Sequence, residues 1–204
     1  MATLTVQPSP VPLTLHLDPF PELDDGQLFA LCQRNRDLRI ERTAAGEIII
    51  MPPAGGETSD RNAQITMQLG LWAQRDGTGR AFDSSGGFTL PNGAMRAPDA
   101  AWIERERLST LTSDQRHRFL PLCPAFVIEL RSPSDPLPSL EEKMHEYIDN
   151  GARLAWLIDP INRRVYIYRP GAEVEILDQP TSVTGDPELP GFVLKLAEIW
   201  NPSW

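Results

Sequence analysis

Two short apolar runs constrain this chain more than any other feature. Ala125-Phe126-Val127-Ile128-Glu129-Leu130 is apolar at every position but one, and Leu154-Ala155-Trp156-Leu157-Ile158 at every position. Runs of this kind suit strands covered on both faces. Between them lies one helical segment, Leu140 to about Asn150. Its residues Leu140, Met144, Tyr147 and Gly151 fall on one stripe, with Gly151 where helices commonly close. Ser139 and Glu142 have the spacing of a capping box. Strand, helix and strand within about thirty residues make a right-handed crossover, which sets the two strands parallel.

The flanks add antiparallel elements. Asp24 or Asp25 caps a short helix to about Arg34. Arg39–Arg42 and Glu47–Met51 flank Ala44-Ala45-Gly46 as a hairpin, stopped by Pro52-Pro53. Thr58 or Ser59 opens the longest helix, to about Gln74, with Ile65, Leu69 and Trp72 on one face. Phe88-Thr89-Leu90 and Met95 straddle Asn92-Gly93, a strong hairpin signal, and a strand follows at Pro98–Ile103. Val165–Tyr168 and Val174–Leu177 read as a further antiparallel pair. The class is α/β: a mixed sheet flanked by helices. Residues 1–21, Pro-rich and aperiodic, form an arm or an added edge strand, and residues 22–204 a single domain.

Charge narrows the partners. There are 28 acids against 19 bases, a formal charge of -9, which argues against gripping nucleic acid by bulk positive charge. Only residues 61–131 reverse the balance, with nine bases to seven acids. No apolar run approaches the roughly 18 residues of a membrane span. The first residues lack the basic region of a secretory signal. Cys32 and Cys123 match no zinc or redox spacing. A reduced, cytoplasmic protein is expected.

For chemistry, the chain has no Gly-rich phosphate loop, nucleophile elbow or H-E-x-x-H pattern, and His16, His117 and His145 are scattered. What remains is carboxylates where carboxylates are rare. Glu129 interrupts a core strand, and Asp99 stands at the mouth of Pro98–Ile103. A buried, ionised, unpaired carboxylate costs several kcal/mol or shifts its pKa, so each needs a partner or a metal. The plain reading is a strand-end acid that reaches solvent or pairs with arginine. Lys143 is one of only two lysines, and it lies about 60° from Leu140, at the edge of its helix's inward stripe.

Arg96-Ala97-Pro98-Asp99, then Ile128-Glu129-Leu130-Arg131-Ser132-Pro133-Ser134-Asp135, then Lys143 and Tyr147, then Gly151 and Ala155–Pro160 occur in one order. In this order the chain resembles the bacterial family described as putative restriction endonucleases, within the PD-(D/E)XK nuclease superfamily. The resemblance runs from Glu47 to Phe192. It implies a restriction-endonuclease-like fold and a metal-dependent endonuclease acting on DNA. Asp99 and Glu129 would be the metal-binding pair for Mg²⁺ or Mn²⁺, with Lys143 as the lysine of the crossover helix. Glu57 would be the added helix acid, or else an acid favouring its helix dipole. The superfamily's lysine two residues after the strand acid is here Arg131. Sharing a strand face with Glu129, Arg131 would hold a substrate phosphate or pair with Glu129, but cannot act as a base. A homodimer is implied by analogy with twofold enzymes on twofold duplexes.

Two other readings stay open at this point. One is a catalytically inactive nucleic-acid-binding or assembly protein on the same fold, which suits the acidity and the missing lysine. The other is a hydrolase of smaller phosphodiesters.

Overall fold

The computed structural model describes residues 12–17 and 23–203. In chain order the elements are β1 (Leu13–Leu15), α1 (Asp25–Arg34), β2 (Arg39–Arg42), β3 (Ile48–Met51), α2 (Gly56–Asp76), β4 (Gly79–Asp83), β5 (Phe88–Thr89), β6 (Met95–Arg96) and β7 (Ala100–Glu104). There follow α3 (Arg105–Ser109), α4 (Ser113–Arg116), β8 (Phe126–Leu130), α5 (Leu137–Asp149), β9 (Leu154–Asp159), β10 (Arg164–Tyr168), β11 (Glu175–Asp178), β12 (Ser182–Thr184), β13 (Val193–Lys195) and α6 (Ala197–Trp200).

The main sheet has the strand order β11-β10-β9-β8-β7-β4. β8 and β9 pair in parallel, Phe126 opposite Leu154 through Leu130 opposite Ile158, as the crossover predicts. The other neighbours pair antiparallel, so the sheet is mixed. Alternation along β8 sends Phe126, Ile128 and Leu130 to one face and Val127 to the other. The first face packs against Ile65, Leu69 and Trp72 of α2 and against Phe192, which stacks on Trp156 at 5.6 Å. The second packs against Met144 and Tyr147 of α5. A smaller sheet, β1-β3-β2-β6-β5, has its own core of Leu28, Ile40, Ile48 and Met95. β1 adds to the edge of that sheet beside β3, so this part of the expected arm is an edge strand. The expected arm boundary at residues 21 and 22 lies outside the described residues.

Local chemistry explains most boundaries. Asp24 caps α1 in a reciprocal box with Gln27. Gly46 and Gly93 take positive φ in the two hairpin turns. Two helix starts differ from expectation. α2 begins at Gly56, ahead of Thr58 and Ser59: Gly55 stands as N-cap in extended backbone, and the Ser59 N–H bonds to its carbonyl at 2.9 Å. α5 begins at Leu137, with Pro138 in its first turn, where the missing N–H has no partner to lose. That places Ser139 inside the helix, so the Ser139–Glu142 box does not form. β4, α3, α4, β12, β13 and α6 had no sequence signal strong enough to be expected. Both cysteines are free, and no described helix is long and apolar enough to cross a membrane.

The outer pairing β4–β7 depends on close approach. A Cβ on Gly79 would collide with the Trp102 indole and the Ile103 carbonyl. Gly79→Ala is therefore expected to destabilise the protein by about 2 kcal/mol, read as a lowered urea midpoint at unchanged slope.

Candidate active site

The chain leaves the smaller sheet after β6 and enters the main sheet at β7. The corner is Ala97-Pro98-Asp99, where Pro98 can donate no ladder hydrogen bond. Asp99 thus stands one residue outside the β7–β8 ladder. Continuing the register of Ala100 opposite Ile128 sets it beside Glu129. Both acids are buried and line one cleft of about 1940 Å³ between the two sheets.

Asp99 is held by three donors. Its Oδ1 accepts from Arg39 Nη1 at 3.1 Å and Asn62 Nδ2 at 3.0 Å, and its Oδ2 from the Leu130 N–H at 2.8 Å. Glu129 Oε1 accepts from the Tyr147 hydroxyl at 2.8 Å and meets Lys143 Nζ at 2.8 Å. Lys143 also donates to Glu41 Oε1 at 2.8 Å. Glu41 takes two further bonds, from Arg96 Nη1 at 3.2 Å and the Ala97 N–H at 3.0 Å. Arg96 in turn pairs with Glu146. Lys143, Glu146 and Tyr147 sit at i, i+3 and i+4, on neighbouring positions of one α5 surface. Arg39 and Glu41 sit at i and i+2 of β2, both facing the cleft, while Ile40 faces the small core.

The electrostatics follow from burial and from who touches whom. Burial raises the Glu129 pKa, and the nearby Asp99 and Glu41 charges add to this, against the opposing pull of Lys143. Burial also works against the Glu41 charge, but Lys143 and Arg96 overcome it and hold that carboxyl below its ordinary range. Lys143 itself is buried, yet Glu129 and Glu41 keep its pKa raised. Burial, then the Glu129 and Glu41 charges, push the Tyr147 phenol well up, so it donates as a neutral hydroxyl. The cluster is thus Glu41, Asp99, Glu129 and Glu146 against Arg39, Arg96 and Lys143.

The donor set suits a hard cation. Asp99 and Glu129 offer carboxylate oxygens only, the ligand type that hard cations take. Among the described residues no three of His, Cys, Asp and Glu lie together as a metal cage. A pair of this kind fits Mg²⁺ or Mn²⁺, which keep several waters.

Of the expected site residues, the fold brings together Asp99, Glu129 and Lys143. The lysine side chain is only 11% exposed and turns inward from its flank position. Glu57 lines the same cleft but is 64% exposed and pairs with Arg61 at 3.0 Å, apart from the acid pair. Arg131 is not brought to the cleft. β8 ends at Leu130, so strand alternation no longer governs Arg131, and its guanidinium meets buried Asp159 at 2.9 Å and the Asp135 carbonyl at 3.2 Å. Sequence reasoning missed Glu41, Arg39, Asn62 and the partnership of Arg96. The available signal was Arg39-Ile40-Glu41-Arg42, a strand with charges on both sides of its apolar residue.

The family model described as "Putative restriction endonuclease" (Uma2) matches residues 25–197. The chain belongs to this family. Among solved structures, a putative nuclease of DUF820 from Anabaena variabilis ATCC 29413 superimposes with a TM-score of 0.68 at 21% identity, over 79% of this chain and 89% of that one. The shared fold is restriction-endonuclease-like. A DrdV–DNA complex matches with a TM-score of 0.40 at 16% identity, over 59% of this chain and 10% of that one. No curated protein matches. The Uma2 match takes in every residue of the cluster, from Arg39 on β2 to Tyr147 on α5.

Lys143→Met would leave Glu41 and Glu129 buried without their shared cation. It is expected to cost about 3 kcal/mol in urea unfolding, and Glu129→Gln in the same chain should recover a large part. Arg131→Ala is expected to lower stability by about 1–3 kcal/mol through Asp159, leaving affinity for DNA unchanged in a binding titration.

Proposed function

We propose that this protein is a metal-dependent endonuclease that hydrolyses phosphodiester bonds of DNA. The observation that carries the reading is the pairing of Asp99 and Glu129 at the corner between two sheets, with Lys143 seated on Glu129 inside an open cleft. Asp99 and Glu129 would hold Mg²⁺ or Mn²⁺, whose chemistry at such a site is to polarise a phosphate oxygen and acidify water.

The protein's own groups have defined tasks in this reading. Tyr147 and Lys143 fix the Glu129 carboxylate through one oxygen, so its other oxygen can face the cleft. Asp99 is fixed through both oxygens, Oδ2 by the Leu130 N–H and Oδ1 by the Asn62 amide. Lys143 places a permanent positive charge beside the reacting phosphate, where negative charge grows in the transition state. It is held charged by Glu41 and Glu129, so it serves as an electrostatic group and not as a base. Glu57, at the first turn of α2, stands at the cleft wall where it can adjust the approach of substrate. The proposal includes a twofold homodimer, which would present one centre to each strand of a duplex.

The acidic cleft shapes the expectation for binding. Its basic side chains Arg39, Arg61, Arg96 and Lys143 are all ion-paired, so metal-free protein should bind DNA weakly and, with few phosphates neutralised, with a shallow salt dependence.

Purified protein with Mg²⁺ or Mn²⁺ is expected to cut plasmid DNA and to stop on addition of EDTA. Asp99→Asn and Glu129→Gln should each abolish cutting with the thermal midpoint kept within a few degrees. Wild-type protein that binds DNA yet never cuts it under either metal would instead establish a catalytically inactive binding module. Cutting of small phosphodiesters alone would point to the smaller substrate class.

A further inference from the structure

Four basic side chains line the cleft, and three of them are locked. Arg61 is tied to Glu57 and to the Ile199 carbonyl, Arg96 to Glu41 and Glu146, and Lys143 to Glu41 and Glu129. Arg39 differs in two ways. Its side chain is 32% exposed, against 14% or less for the others. Like Arg61, it has one ion pair, to Asp99, and one bond to a carbonyl, that of Ala97. Its Nε–H is buried without any acceptor. An unsatisfied buried donor is costly, so the present seat of Arg39 is a compromise set by the Asp99 charge.

That seat conflicts with the metal reading. Arg39 Nη1 occupies Asp99 Oδ1, an oxygen of the proposed metal pair. A divalent cation on Asp99 would compete for the oxygen and repel the guanidinium. Asp99 would stay in place without Arg39, because the Asn62 amide and the Leu130 N–H still hold it. The released side chain, rooted on β2 in the cleft wall, would present Nε and Nη together. That fork matches two oxygens of a phosphate, and it satisfies the orphaned Nε.

Resting on the carboxylate-pair reading above, we propose that Arg39 is a displaceable phosphate ligand. It neutralises Asp99 in metal-free protein, and it turns to the substrate phosphate when a divalent cation replaces it on Asp99. Arg39 thereby couples metal loading to substrate capture and takes the substrate-binding role that Arg131, committed to Asp159, cannot fill.

The test compares wild type, Arg39→Ala and Arg39→Lys by calorimetric titration with Mn²⁺. Affinity for a short blunt duplex is then measured in Ca²⁺ over a range of salt. Arg39→Ala should bind Mn²⁺ roughly tenfold more tightly, because a competing cation is gone. The same variant should bind the duplex more weakly, with a salt slope smaller by about 1. Arg39→Lys should return Mn²⁺ affinity toward wild type while recovering only part of the duplex affinity, since it lacks the fork. Unchanged Mn²⁺ affinity in Arg39→Ala, or weakening of both affinities, would overturn the proposal and leave the carboxylate pair intact as a metal site. A wild type that takes up no Mn²⁺ would sink the metal reading itself, and the coupling with it.

Discussion

Lys143 shares its ammonium between Glu41, on the smaller sheet, and Glu129, on the main sheet, at 2.8 Å from each. The smaller sheet joins the main-sheet core at Phe88, Leu90 and Ala94 and keeps a separate core at Leu28, Ile40, Ile48 and Met95, while the cleft side of the seam between the sheets is polar. A buried carboxylate on either side would be intolerable alone, and a lysine between them makes both tolerable at once. Arg96 repeats the device between Glu41 and Glu146, tying β2 and β6 to α5. An apolar seam could hold the sheets equally well. A charged seam keeps ionised carboxylates at the edge of a cleft, and every proposed chemical role depends on that.

The same seam settles how an acidic protein could meet a polyanion. Its cations are spent on its own acids, so the cleft cannot act as a ready-made basic groove. In the proposed reading, positive charge for a phosphate comes from added cations, from the side chain those cations displace and from Lys143. The chain's overall charge of -9 and a nuclease reading are compatible on those terms.

Legibility in the sequence varied with the range of the interaction. The parallel crossover, both hairpins and the α1 cap were readable because alternation, Asn-Gly and a capping residue act within a few positions. The expected capping box at Ser139 failed for a local reason too: Pro136-Leu137-Pro138 already starts a helix, and Ser139 falls inside it. Short elements such as β12 and β13 exist only because Phe192, Leu194 and Val183 cover the main sheet, a contact invisible from three-residue windows. Arg131 shows the limit of periodicity, since an i, i+2 rule ends where the strand ends.

What the sequence by itself determined is the kind of residue at each key place: an acid after Pro98, an acid inside a core strand, and a scarce lysine on the crossover helix. Those are local facts of composition and period, and strand pairing then brings Asp99 beside Glu129. The tertiary structure alone decided their partners. Arg39 lies 60 positions from Asp99 and Glu41 lies 102 from Lys143, and both come from the smaller sheet while these partners belong to the edge of the main sheet and to α5. No spacing rule relates residues on two sheets. Their meeting is set by how the sheets pack, and by the need of each buried charge to find an opposite one.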